Sequence, residues 1–133
     1  MPQTPKILVL DGQKIHDIPS LYDELNRLFM EDEEWSIGAS LDALDDMLYG
    51  AYGAANHTSG IELVWKNIEH SKAALGYAAT KQFYQAKLTQ PEIYNISKIQ
   101  QDLDALCRGE GKTYFDIVVE IIDSHSNIRL IKE

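Results

Sequence analysis

This sequence predicts an α/β fold, a small three-stranded parallel sheet packed with helices and with room for an extra C-terminal strand. Three observations carry the prediction. Mostly apolar runs of strand length occur at residues 6–10, 61–65 and 115–122, and strands buried on both faces read this way. Between the runs, leucines and isoleucines recur every three or four residues, the helical period. Strands alternating with helices are the pattern of a parallel sheet closed by helical crossovers.

Taken in order, Lys6-Ile7-Leu8-Val9-Leu10 is a buried strand closed by the turn pair Asp11-Gly12. Ser20 can cap a helix over residues 21–30, with an acid three positions on at Asp23 and with Leu21, Leu25, Leu28 and Phe29 at helical spacing. Ser40 can cap a second helix, in which Leu41, Leu44 and Leu48 share one side and Gly50 offers a stop. At 100° per residue, Asp42 and Asp46 fall opposite those leucines and Asp45 lies on the flank.

Residues 50–60, GAYGAANHTSG, read as a loop. A second strand at 61–65 leads into a helix over 66–87 that breaks near Gly76, and Pro91 interrupts the pattern. Ile96, Ile99, Leu103 and Leu106 define another amphipathic helix ending at Gly109. The run at 115–122 then reads as the third strand, with the tail at 127–131 folding back on it through the turn at 123–126.

The chain of 133 residues fits one domain over its whole length, large enough for folding to remove roughly two-thirds of the unfolded surface from water. Hydrophobic content of 44% and charged content of 25% are those of a globular protein. The N-terminal apolar run is too short for a secretory leader or a membrane span, and the single cysteine, Cys107, suits a reducing compartment. A cytoplasmic protein is expected, so the triplets at Asn56 and Asn95 are not read as glycosylation sites.

A net charge of -9 argues against nucleic acid as a ligand, because phosphate contacts need a basic surface. The acidity is concentrated. Residues 28–65 contain no Lys or Arg but hold Glu31, Asp32, Glu33, Glu34, Asp42, Asp45, Asp46 and Glu62. Asp42, Asp45 and Asp46 lie within about a helical turn of one another and repel, at roughly 0.2–0.5 kcal/mol per i,i+4 pair. Only Asp42, in the first turn, is favoured by the helix dipole. A solvated face is the bland reading of such a cluster; the functional reading is a set of carboxylates that imitates phosphates and waits for a cationic cleft.

Enzymatic readings lack their signatures. There is no H-E-x-x-H, no C-x-x-C, no phosphate-binding G-x-x-x-x-G-K-[ST] and no G-x-S-x-G. The acids at 31–34 lack the alternation and sixth-position glycine of a calcium loop, and His16, His57, His70 and His125 have no neighbour at ligand spacing. No cofactor and no metal is expected.

The stretch Gly38-Ala39-Ser40-Leu41-Asp42-Ala43-Leu44-Asp45-Asp46-Met47-Leu48 resembles the signature of the barstar family, approximately G-x-N-L-D-A-L-W-D-x-L. ILVLDGQKI followed by Ile18-Pro19-Ser20-Leu21 is similar to the family's first strand and helix entry, Leu63-Val64-Trp65 through Lys72 to its strand-to-helix segment, and residues 116–122 to its last strand. The resemblance implies a parallel sheet with packed helices and an intracellular inhibitor, or immunity protein, that plugs a basic extracellular-type bacterial ribonuclease with its second helix and the preceding loop. No membrane or small-molecule substrate is implied.

Carried over by position, the resemblance places Gly38, Ser40, Asp42, Asp45 and Asp46 at the partner surface, with Asp46 entering the enzyme's active site; Trp35 joins them one step away from the family's usual aromatic pair, whose place is taken by Ser36-Ile37. Ser40 replaces the usual Asn and keeps the capping function, whereas Asp45 stands where the family has Trp. The connection at about 76–95 is longer than usual, so the remaining acidic contact falls on Gln85 by one count and on Asp104 by another. Two other classes stay open: an acidic interaction module with a non-nuclease basic partner, and a metal-dependent enzyme using Asp42 and Asp46.

Overall fold

The structure, a computed structural model, describes residues 6–50 and 60–133. Strand β1 (Lys6–Asp11) leads through a 3-10 turn to helices α1 (Ile18–Phe29) and α2 (Leu41–Tyr49), then to β2 (Ile61–Lys66). Four helices follow, α3 (Ile68–Ala74), α4 (Tyr77–Leu88), α5 (Ile96–Cys107) and α6 (Tyr114–Asp123), before β3 (Ile128–Lys132). The expected loop at 50–60 lies almost wholly outside the described residues. The sheet order is β1-β2-β3 and both pairings are parallel, so the expected three-stranded parallel sheet is what forms.

Its third strand is the tail, however, and residues 115–122 are helix. Two local features favour α6. Thr113 and Asp116 form a reciprocal capping box, and Tyr114, Phe115, Val118 and Ile122 are buried along one side at helical spacing. β-branched residues fit helices less well than strands, but burying a continuous stripe outweighs a propensity of tenths of a kcal/mol per residue. Because α6 returns the chain across the sheet, β3 runs parallel to β2 and does not form a hairpin.

Helix α1 starts three residues earlier than its apolar spacing suggests. Asp17 is the cap: its carboxylate accepts from the Ser20 amide at 2.9 Å, and the Ser20 hydroxyl oxygen accepts from the Asp17 amide at 3.0 Å. Pro19 sits in the first turn, where its missing N–H costs nothing. The bonds from Ser20 hold the Asp17 carboxyl below its usual range.

One sheet face carries the core. Leu8, Leu10, Leu63, Trp65 and Ile128 join Leu21, Leu25 and Phe29 of α1, Leu44, Met47 and Leu48 of α2, and Val118 and Ile122 of α6. The buried Tyr22 and Tyr114 hydroxyls meet at 2.6 Å, linking α1 to α6, and burial pushes both phenols up. Trp65 Nε1 donates to Ser71 Oγ at 2.9 Å, which donates to the Gly12 carbonyl at 3.2 Å. A side chain at Gly12 would run into the Lys66 and Asn67 carbonyls and Ser71 Oγ. Gly12→Ala is therefore expected to cost up to about 3 kcal/mol of stability, read from a urea midpoint; a loss below about 0.5 kcal/mol would mean that this junction yields freely.

The predicted long helix does break at Gly76, into α3 and α4. The stretch after it is a helical hairpin, α4 on α5, with a small cluster of its own formed by Tyr84, Leu103 and Leu106. Phe83 packs into both clusters and meets the Tyr114 ring edge-on at 5.1 Å. The Thr80 hydroxyl donates to the Gly76 carbonyl and accepts from the Tyr114 amide, each at 2.7 Å, fastening the hairpin to the start of α6.

Candidate functional site: an acidic helix and the loop before it

Residues 31–40 are almost all exposed and yet are held at a definite place. Asn26 of α1 clamps them: Ile37 N–H donates to Asn26 Oδ1 at 2.8 Å and Asn26 Nδ2 donates to the Ile37 carbonyl at 3.2 Å. Ile37 itself is buried in the core. The Ser40 amide then donates to the Gly38 carbonyl at 2.9 Å, and Ser40 Oγ caps α2 by accepting from the Ala43 amide at 3.0 Å. At the other end Gly50 adopts the left-handed conformation, φ 92°, that a helix stop requires.

Between these caps Leu44, Met47 and Leu48 face the core, while Asp42 and Asp46 are exposed. Among the described residues neither aspartate has a cation within ion-pair distance. Trp35, 49% exposed, and Gly38 stand in the loop beside them. Gly38 has an ordinary backbone conformation, and a Cβ there would meet nothing, so the free fold gives no reason for a glycine at this position.

Asp45 behaves differently. Its Oδ1 is 2.7 Å from His125 Nε2, with the His125 side chain 3% exposed and that of Asp45 40%. His125 lies in the turn between α6 and β3, packs edge-on to Tyr49 at 4.5 Å, and is followed by Asn127, whose Nδ2 donates to the Leu48 carbonyl at 3.1 Å. This turn thus grips the C-terminal half of α2 through two side chains. Asp45→Ala is expected to cost about 1–3 kcal/mol of stability by leaving a buried imidazole nitrogen unpaired, with the melting temperature as the readout; no change would mean that the pair holds nothing.

A cation from far along the chain does come near Asp42, without pairing to it. Lys87 of α4 lies with Phe83 and Tyr94 across a groove of about 300 Å³ from Ala39, Ser40, Leu41 and Asp42. Its ammonium is 4.2 Å from the Phe83 ring centre and 5.0 Å from that of Tyr94. Burial lowers the Lys87 pKa, opposed by the charges of Asp102 and Asp42. Gln85 is not brought to this groove: two positions from Phe83 and from Lys87, it points to the far side of α4. Asp104 is exposed on α5 and accepts from Gln100 Nε2 at 2.9 Å.

Residues 6–90, from β1 through α4 and including the acidic loop and helix, match the family described as Barstar (barnase inhibitor). The chain belongs to the Barstar family. Among curated proteins and among solved structures nothing matches it. The Barstar match ends just after α4, so α5, α6 and β3 lie beyond it. No helix among the described residues is long and apolar enough to cross a membrane.

In this Barstar-family chain, what sequence reasoning missed is what distant segments contribute. His125 reads as an unremarkable solvated or core histidine, and Lys87 lies outside the window that lacks cations. Neither has a local signal. Asn26 could have been suspected, since an amide on a helix can donate and accept at once across to an extended segment.

Proposed function

We propose that this chain is a protein inhibitor of a basic, extracellular-type bacterial ribonuclease and not itself an enzyme, acting in the cytoplasm. The observation that carries the reading is that Asp42 and Asp46 are exposed on one side of a helix that is capped at both ends and backed by Leu44, Met47 and Leu48, with no ion pair of their own among the described residues. Carboxylates held in that state meet Lys, Arg and His of a phosphate-binding cleft without first breaking contacts within the inhibitor. Trp35, Gly38 and Ser40 line the approach. Asp45, turned to His125, holds the helix in place at its flank, and the bare Gly38 lets a partner's backbone come close.

The test is titration of the purified chain into barnase and other guanyl-preferring bacterial ribonucleases, with RNA cleavage as the readout. Stoichiometric loss of cleavage for at least one enzyme is expected. Association should slow as salt rises and the Debye length falls to about 8 Å near 0.15 M. Unimpaired cleavage throughout the panel, or an association rate indifferent to salt, would overturn the proposal.

A further inference from the structure

Among the described residues no helix covers the face of the sheet opposite the core, which is unusual because parallel sheets are ordinarily covered on both sides. Core residues alternate along the strands, leaving Ile7, Val9, Glu62, Val64, Arg129 and Ile131 on the other face. Ile7 is 62% exposed and Val9 41%. The register sets these residues in rows. Val9 pairs with Val64 and Val64 with Ile131, an apolar row across all three strands. On one side of it runs Ile7–Glu62–Arg129; on the other, Asp11 pairs with Lys66, and Glu133 extends the row because its amide continues the ladder to the Trp65 carbonyl at 2.9 Å.

We propose that this face joins two copies of the chain about a two-fold axis lying along the row Val9–Val64–Ile131. Charge complementarity selects both occupant and axis. Rotation about that row lays each apolar residue near its own copy, and swaps the flanking rows so that Glu62 faces Lys66 of the second copy, Arg129 faces its Glu133 and Ile7 faces its Asp11; Arg129 Nη1, 3.6 Å from Glu62 Oε1 within one chain, then joins Glu62 in a cluster of alternating charges across the interface. A two-fold along β2 would instead oppose Glu62 to Glu62 and Asp11 to Glu133, like charges in each case. Stacked sheets about 10 Å apart and within roughly 30° of alignment leave these long side chains within reach of one another.

Two further features agree. The face carries Lys66 and Arg129 against three carboxylates, close to neutral in a chain of net charge -9, so it is a surface where two copies can approach without strong repulsion. Pairing by strand addition is hindered at the β1 edge, where Glu24 Oε2 accepts from the Asp11 amide at 2.7 Å and Arg27 Nη2 donates to the Val9 carbonyl at 3.3 Å. Helix α2 packs on the opposite side of the sheet, so the dimer leaves both acidic surfaces free, and its existence is independent of the inhibitor reading.

Sedimentation velocity of the purified chain at tens of micromolar tests this. The wild type is expected at twice 15.1 kDa, and Val9→Glu, which sets carboxylates against each other on the axis, at the monomer mass with an unchanged circular dichroism spectrum. Because Glu62 pairs with Arg129 in its own chain at 3.6 Å, the charges are reversed by rows: Glu62→Lys with Arg129→Glu, and Lys66→Glu with Glu133→Lys, should each weaken the dimer at least about ten-fold, and the two reversals combined should restore it. That restoration keeps the test decisive even if Val9→Glu fails to fold. A monomeric wild type, a dimer unmoved by Val9→Glu, or a combined reversal no tighter than either row reversal would overturn the proposal.

Discussion

Asp46→Ala is expected to weaken inhibition of the target ribonuclease by on the order of 2 kcal/mol or more, about thirty-fold in the inhibition constant. That scale is the one known for charged partners in desolvated interfaces, the family's own barnase complex among them, and is a precedent rather than a quantity derived from this fold. What the fold supplies is the reason the loss should be specific. Asp46 is exposed, a turn beyond the region where the helix dipole favours an acid, and forms no ion pair among the described residues. Removing it should therefore leave the melting temperature unchanged or slightly raised, since repulsion from Asp42 is relieved. Inhibition curves for the two proteins, measured at one salt concentration, check this. An unchanged constant would remove Asp46 from the centre of the contact.

Leu44→Ala should act in the opposite manner, on stability first. Leu44 is fully buried beneath α2 in the main core, and its truncation is expected to cost about 2–5 kcal/mol, the transfer loss plus the cavity left behind. In a domain whose whole stability is about 5–15 kcal/mol, this can unfold a substantial fraction of the chain on warming. Denaturant titration gives the loss directly, and inhibition should fall only as far as the folded fraction falls. A loss below about 1 kcal/mol would mean that α2 is not seated on the core, and the idea of a rigid acidic helix would fail with it.

The candidate site was unusually open to reading because its determinants are local. Ser40 and Gly50 set both ends of α2 through contacts within a few residues, and the alternation of Leu44 and Leu48 with Asp42 and Asp46 orients the helix before any tertiary contact is known. The same locality explains the parallel sheet, whose strands at 6–10 and 61–65 are apolar apart from Lys6 and Glu62. Residues 115–122 read as a strand because Phe, Ile and Val, interrupted only by Asp116 and Glu120, satisfy both the strand and the buried-helix pattern. The Thr113–Asp116 capping box was the signal that separates them. Asp17 is hard to recognise as the cap of α1 for a related reason: Ser20 is a good cap by type but sits inside the first turn, answering the true cap.

By itself the sequence determined the class of fold, the helix that carries the acids and the side on which Asp42 and Asp46 stand, since each follows from periodicities and caps spanning a few residues. Tertiary structure alone decided that Asp45 turns to His125, that Lys87 comes up beside Asp42 between two aromatic rings, that Gln85 faces away, and that the tail completes the sheet. Those outcomes depend on which segments far apart in the chain share one core, and no local pattern encodes the partner that a buried group finds across tens of residues.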